Sequence, residues 1–145
     1  MKKMTLGLLL CWFALQGLAA DEMEWQTDLP KAQAQAKKEG KLVVMDFTGS
    51  DWCPWCIKLH NEVFSKPEFQ EYAKKNLVLV IVDFPRKKEQ ADELKQTNKA
   101  LQEKYKIEGY PTVVVLNSNG KKVGELGYEE GGPKPFIAKL DKLKS

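Results

Sequence analysis

Cys53 and Cys56 stand three residues apart in Trp52-Cys53-Pro54-Trp55-Cys56, a spacing at which one thiolate can attack a disulfide and the other can resolve the product. A cysteine at a helix N-terminus faces unsatisfied backbone N–H groups that favour negative sulfur, and Cys53 has that placement. Pro54 suits the first helical position, where no N–H bond is forfeited. Cys56 then lies on the same side of the first turn as Cys53. The same residues admit a second chemistry. With His60 they form C-x2-C-x3-H, a partial zinc or copper set, although a structural zinc site wants four ligands and no fourth is evident. His60 fits a helix-surface histidine better than a ligand. Asp46 interrupts an apolar strand and is either a candidate acid or a strand residue reaching solvent, and a carboxylate there is costly unless it is paired or shares a proton, which favours the acid. Trp52 and Trp55 flank the sulfurs and could form a docking surface, or Trp52 could pack beneath the loop.

The N-terminus bears on the redox setting of the pair. Lys2 and Lys3 precede the apolar run Leu6 to Leu15, and Leu18-Ala19-Ala20 follows, which is the anatomy of a secretory signal peptide over 1–20 with cleavage near Ala19 or Ala20. A membrane anchor would need about 20 apolar residues, and Gln16 and Asp21 end the run too early. Large leucines before Cys11 exclude a lipidation box. The expectation is a periplasmic or secreted protein whose single domain occupies 21–145. Cys53 and Cys56 are then its only cysteines, in an oxidising compartment. A bridge across so short a loop restrains little unfolded-state entropy, so stapling explains the pair poorly.

The elements that must position these residues follow from patterning. An alanine-rich helix over 31–38 stops at Gly40, and Leu42 to Phe47 has the continuous apolar character of a strand buried on both faces. Turn residues 48–51 deliver Trp52 and Cys53 to a helix whose apolar stripe is Ile57, Leu59, Val63 and Phe64. Ser65-Lys66-Pro67-Glu68 predicts a capping box opening a helix that carries Phe69 and Tyr72. A second buried strand spans Leu77 to Asp83. The charged stretch Phe84 to Lys99 is predicted to be partly helical, with Ala91, Leu94, Leu101 and Tyr105 able to face inward, and Arg86-Lys87-Lys88 suits a solvated face. Gly109-Tyr110-Pro111-Thr112 precedes a third strand over 113–116, a turn at 117–120 and a returning strand over 121–126. Gly131-Gly132-Pro133 opens a last helix bearing Phe136, Ile137, Leu140 and Leu143. Alternating strands and helices that end in a hairpin imply an α/β architecture, a central mixed sheet with helices on both faces.

At 145 residues the chain is one domain, and 43% hydrophobic content supplies a core for it. Lys and Arg exceed Asp and Glu by three, or by one once Lys2 and Lys3 are removed, which argues against nucleic-acid or acidic-membrane binding.

Trp52-Cys53-Pro54-Trp55-Cys56 after one buried strand and Gly109-Tyr110-Pro111-Thr112 before another resemble the thioredoxin superfamily, in particular exported thioredoxin-like proteins of bacteria, over about residues 31 to 144. The resemblance implies a thiol–disulfide oxidoreductase without cofactor or metal, a cis Pro111 against the disulfide, and proton transfer at Cys56 assisted by Asp46. It also implies substrate contact through Trp52, Pro54, Trp55, Tyr110 and Pro111. The sequence departs from the family in three places. The loop between Asp46 and Cys53 is one residue longer, the middle dipeptide is Pro-Trp, and Phe84 to Lys99 is longer than the usual connection. Asp46 and Asp51 would oppose thiolate formation, which favours a reductase or isomerase over an oxidase. The expected partners are protein disulfides or thiols and a membrane electron-donor protein, met by a monomer. The competing class is a binding module that holds a metal ion or a partner without turnover.

Overall fold

A computed structural model describes residues 23–144, so the signal-peptide reading lies outside the described residues. Five strands form one sheet in the order β1-β3-β2-β4-β5. The chain runs β1 (Trp25–Gln26), α1 (Leu29–Glu39), β2 (Leu42–Thr48), α2 (Pro54–Leu59), a π-helical turn (His60–Phe64), α3 (Pro67–Asn76), β3 (Leu77–Asp83), α4 (Asp92–Lys104), β4 (Thr112–Leu116), β5 (Lys122–Leu126) and α5 (Pro133–Lys142). β3 pairs in parallel with β1 and β2, whereas β4 runs antiparallel to both β2 and β5, giving the mixed sheet expected from the sequence.

The register divides the central strands into two faces. Val44, Leu79, Val113 and Val115 point toward α2, α3 and α5, where Leu59, Phe64, Phe69, Phe136 and Leu140 complete one core. Val43, Met45, Phe47, Val80, Val82 and Val114 point the other way, toward Ala32 and Ala36 of α1, the half-buried Leu101 of α4 and its half-buried C-cap Tyr105. Every residue of β2 is buried, which is why its run is apolar without alternation. Asp46, Thr48, Ile81 and Asp83 continue the α2-side face toward the C-terminal ends of β2 and β3, because Asp46 pairs with Ile81 and Thr48 with Asp83.

Local structure departs from expectation in several places. α1 starts two residues early because the Asp28 carboxylate caps it by accepting from the Lys31 N–H, and Gly40 closes it at φ 66°. The capping box at Ser65 does not form. Ser65 ends the π-helical turn, its hydroxyl donates back to the Asn61 carbonyl at 2.9 Å, and Lys66 caps α3 without its side chain, although Pro67 does take the first turn. The two-residue β1 and the π-helical turn left no periodic signal. Of the stretch 84–99, Phe84 to Ala91 is a loop and α4 begins at Asp92. Ala91 is an exposed cap, and Leu94, Leu101 and Tyr105 are half-buried; the buried residue of α4 is Asn98, whose Nδ2 donates to the Asp83 carbonyl at 2.9 Å.

Candidate active site

Cys53 and Cys56 are joined in a disulfide, their Cα atoms 5.2 Å apart, at the exit of β2 into α2. Cys53 is the N-cap of α2, extended at φ −88° and ψ 111°, and its sulfur accepts the Cys56 N–H at 3.3 Å. A sulfur replaces the usual capping oxygen, so a backbone donor that would otherwise be orphaned points at the Cys53 sulfur. The Cys56 sulfur accepts from the Gly49 N–H at 3.5 Å. Gly49 is required by packing: a Cβ there would lie 2.4 Å from the Trp52 ring. Its carbonyl also accepts from the Trp52 and Cys53 amides, closing the loop that presents the pair.

The Tyr110–Pro111 peptide is cis, as expected, and the Tyr110 carbonyl lies 3.8 Å from the Cys53 sulfur, where a reduced thiol can donate to it. Tyr110 is held from both sides, its hydroxyl accepting from Gln102 Nε2 at 2.6 Å and its ring resting on Phe84 and Trp52 at 5.2 and 5.9 Å between centroids. Trp52 is pinned through its Nε1, which donates to the Phe84 carbonyl at 2.7 Å, and the Arg86 guanidinium covers its ring at 3.7 Å. Pro54 is exposed. Trp55 stands 55% exposed beside Tyr128, with the Lys58 ammonium 5.3 and 5.0 Å from the two ring centres.

Asp46 is buried, and its Oδ1 has no hydrogen-bond partner among the described residues. Desolvation, with a smaller contribution from the charge of Asp83, pushes its carboxyl up to about 7. A cavity of about 250 Å³ brings Asp46, Cys56, Ser50 and His60 together. The longer loop therefore leaves Asp46 and Cys56 facing the same space, whose remaining lining includes Ile57 and Ile81. His60 is exposed on the helix, as expected, and lies one turn beyond Cys56. Among the described residues no group of three or more His, Cys, Asp and Glu side chains is arranged to hold a metal ion.

Two carboxylates that sequence reasoning underrated organise the surrounding loops. Asp83 accepts the Ser50 N–H at 3.0 Å and the Ser50 hydroxyl at 2.6 Å, anchoring the loop before Trp52 to the end of β3. Asp51 accepts three backbone N–H groups, from Arg86 at 3.0 Å and from Lys87 and Lys88 at 2.8 Å each. Those donors hold its carboxyl far down, at about 2. Its charge is thus matched to loop amides, which weakens its expected part in opposing a Cys53 thiolate. The available signal was an Asp at the end of an apolar strand and an Asp in a turn, neither of which identifies a partner more than thirty residues away.

Residues 29–144 match the family model described as a thioredoxin-like domain. The chain is 36% identical over 123 residues to the disulfide bond reductase DsbH of Chlamydia pneumoniae, covering 85% of this chain and 74% of that protein. Among solved structures, a DsbH oxidoreductase superposes with a TM-score of 0.80 at 33% identity, covering 95% of this chain and 94% of that one. The reduced C-terminal domain of Neisseria meningitidis DsbD follows with a TM-score of 0.59 at 26% identity, covering 79% of this chain and 92% of that domain. A bonded Cys-x-x-Cys pair capping α2, beside a cis-proline loop and on this sheet order, agrees with those likenesses, and the chain belongs to the thioredoxin-like family as a thiol–disulfide oxidoreductase.

Proposed function

We propose that the protein reduces or isomerises disulfides of exported proteins, with Cys53 as attacking and Cys56 as resolving cysteine. The observation that carries this assignment is the unequal placement of the sulfurs. Cys53 caps the helix beside the Tyr110–Pro111 loop, and Cys56 faces the cavity that contains Asp46. In the reduced protein the Cys53 thiolate attacks one sulfur of the substrate disulfide, and the other substrate sulfur leaves with the electron pair and takes up a proton. Asp46, titrating near neutrality, accepts the Cys56 proton through the cavity; Cys56 then attacks the Cys53 sulfur and releases the second substrate thiolate. Two electrons pass to the substrate, and the pair ends as a disulfide. Trp52, Pro54, Trp55, Tyr110 and Pro111 form the substrate-contact surface of this reading.

A reductase in an oxidising compartment must be recharged, so the product disulfide is returned to the dithiol by a membrane electron-donor protein. The signal-peptide pattern at 1–20 supports export, and the reductase named among the relatives supports the direction. Cys53→Ser abolishes reduction of a disulfide-bonded protein substrate, whereas Cys56→Ser accumulates covalent complexes on non-reducing gels. Full activity of the first variant, or no trapped species with the second, removes the assignment. The equilibrium potential of the pair settles direction: about −270 mV marks a reductant and about −120 mV an oxidant.

A further inference from the structure

We propose that the groove between the Phe84–Ala91 loop and α4 binds an acidic stretch of the substrate polypeptide carrying an apolar side chain, beside the disulfide being exchanged. This rests on the redox assignment above and adds a substrate class to it.

The groove, of about 320 Å³, has Phe84 and Pro85 as its apolar surface and Lys88, Lys95 and Lys99 around it, with no carboxylate among its lining residues. Lys95 reaches Asp92 at 3.2 Å and Lys88 reaches Asp83 at 3.3 Å, while Lys99 makes no ion pair among the described residues. Lys95 and Asp92 are both exposed, so that pair is weak and leaves Lys95, with Lys99, available to an incoming carboxylate, whereas the largely buried Asp83 keeps Lys88 engaged. An apolar floor with a cationic rim complements an apolar side chain flanked by Asp or Glu.

The groove shares a wall with the reacting sulfur. Phe84 packs on Tyr110, Gln102 of the groove donates to the Tyr110 hydroxyl, and the Tyr110 carbonyl lies 3.8 Å from Cys53 Sγ. A strand-like peptide advances about 3.3 Å per residue, so a chain with its cysteine on Cys53 enters the groove within a few residues of crossing Tyr110. The groove is also formed in advance. Asp51 fastens the loop through the Arg86, Lys87 and Lys88 amides, and Gln90 Nε2 donates to the Asp83 carbonyl at 3.1 Å. Little ordering of the loop is then needed on binding.

The test uses the reduced full chain and three synthetic peptides, each with one cysteine disulfide-linked to 2-mercaptoethanol and a leucine a few residues away, flanked by Asp and Glu, by Ser, or by Lys. Cys53 attacks the peptide sulfur, 2-mercaptoethanol departs as the thiol after protonation, and Cys56 releases the reduced peptide. The expected result is a second-order rate for the acidic peptide roughly tenfold above that for the basic one at low ionic strength, narrowing as salt is added. Lys95→Glu with Lys99→Glu removes or inverts the preference, Lys95→Gln with Lys99→Gln reduces it, and both leave the rate with the uncharged 2-hydroxyethyl disulfide unchanged. Equal rates for acidic and basic peptides, or a preference untouched by the double variants, overturn the groove assignment alone. Failure of the wild-type chain to reduce 2-hydroxyethyl disulfide overturns the redox assignment beneath it.

Discussion

Asp46 occupies a place where its charged form is poorly served: its Oδ1 finds no partner among the described residues, and Asp83 on the neighbouring strand takes up the loop donors. The cost of ionising it appears as a pH dependence of stability. The folded carboxyl titrates at about 7 against an ordinary value of 3.8, so the native state binds more protons than the unfolded state between those values. Stability is fully present below about pH 4, declines as pH rises toward 7, and levels off above. Asp46→Asn should remove that slope, leaving the variant more stable than wild type at pH 8 by on the order of 2 to 4 kcal/mol, read from urea melts across pH. The same variant should slow release of the Cys56→Ser-trappable intermediate in the otherwise intact enzyme while initial attack by Cys53 proceeds. An unchanged pH slope would mean that water already solvates the carboxylate in the cavity.

The β2–α2 loop and the β3–α4 loop are one unit, although nothing in either motif announces it. Asp51 satisfies three successive amides of the second loop, and Trp52 donates to the carbonyl that begins it. Asp51→Ala should leave the thermal midpoint within a few degrees of wild type while the Arg86, Lys87 and Lys88 amides lose hydrogen-exchange protection. The carboxyl is depressed to about 2, so this clamp is intact above the ordinary carboxylate range and weakens only as pH falls through 2. Gly49→Ala acts on the same loop by a different route. Its Cβ would meet Trp52 backed by Tyr110, so the ring must shift, at about 1 to 3 kcal/mol with a changed tryptophan emission. Loss of protection without loss of fold in the first variant and loss of stability in the second would separate the clamp from the packing.

The two cores differ in what they hold together. On the α2 side Phe64 touches Trp25, Phe69 and Phe136, joining β1, the π-helical turn, α3 and α5. Phe64→Ala should cost about 3 to 5 kcal/mol and lower the thermal midpoint by more than about 10 °C, because the aromatic neighbours cannot all collapse into the vacated volume. The other core, built from strand valines with Ala32 and Ala36, relies on close approach of α1 to the sheet. Disulfide exchange needs this rigidity, since Cys53 is placed by β2 and Tyr110 by the residues leading into β4.

Much of this was readable from order along the chain. Continuous apolar runs marked the buried strands, because a strand covered on both faces has no polar side to alternate with, and Cys-Pro-Trp-Cys after one of them placed a sulfur at a helix start. Gly109-Tyr110-Pro111-Thr112 located the cis bond through family likeness. The capping box failed because the π-helical turn carries the helical backbone through Ser65, so its hydroxyl finds the Asn61 carbonyl before any α3 amide. The roles of Asp51, Asp83 and Asn98 depend on partners 35, 33 and 15 residues away, and the contact of Cys53 with Tyr110 spans 57. Residue type and periodicity report which face an element buries and where it stops. Which carboxylate meets which amide is set by how strands and loops are brought side by side, and Arg86 came to cover the Trp52 ring only because folding set the loop that carries it against Asp51 and Trp52.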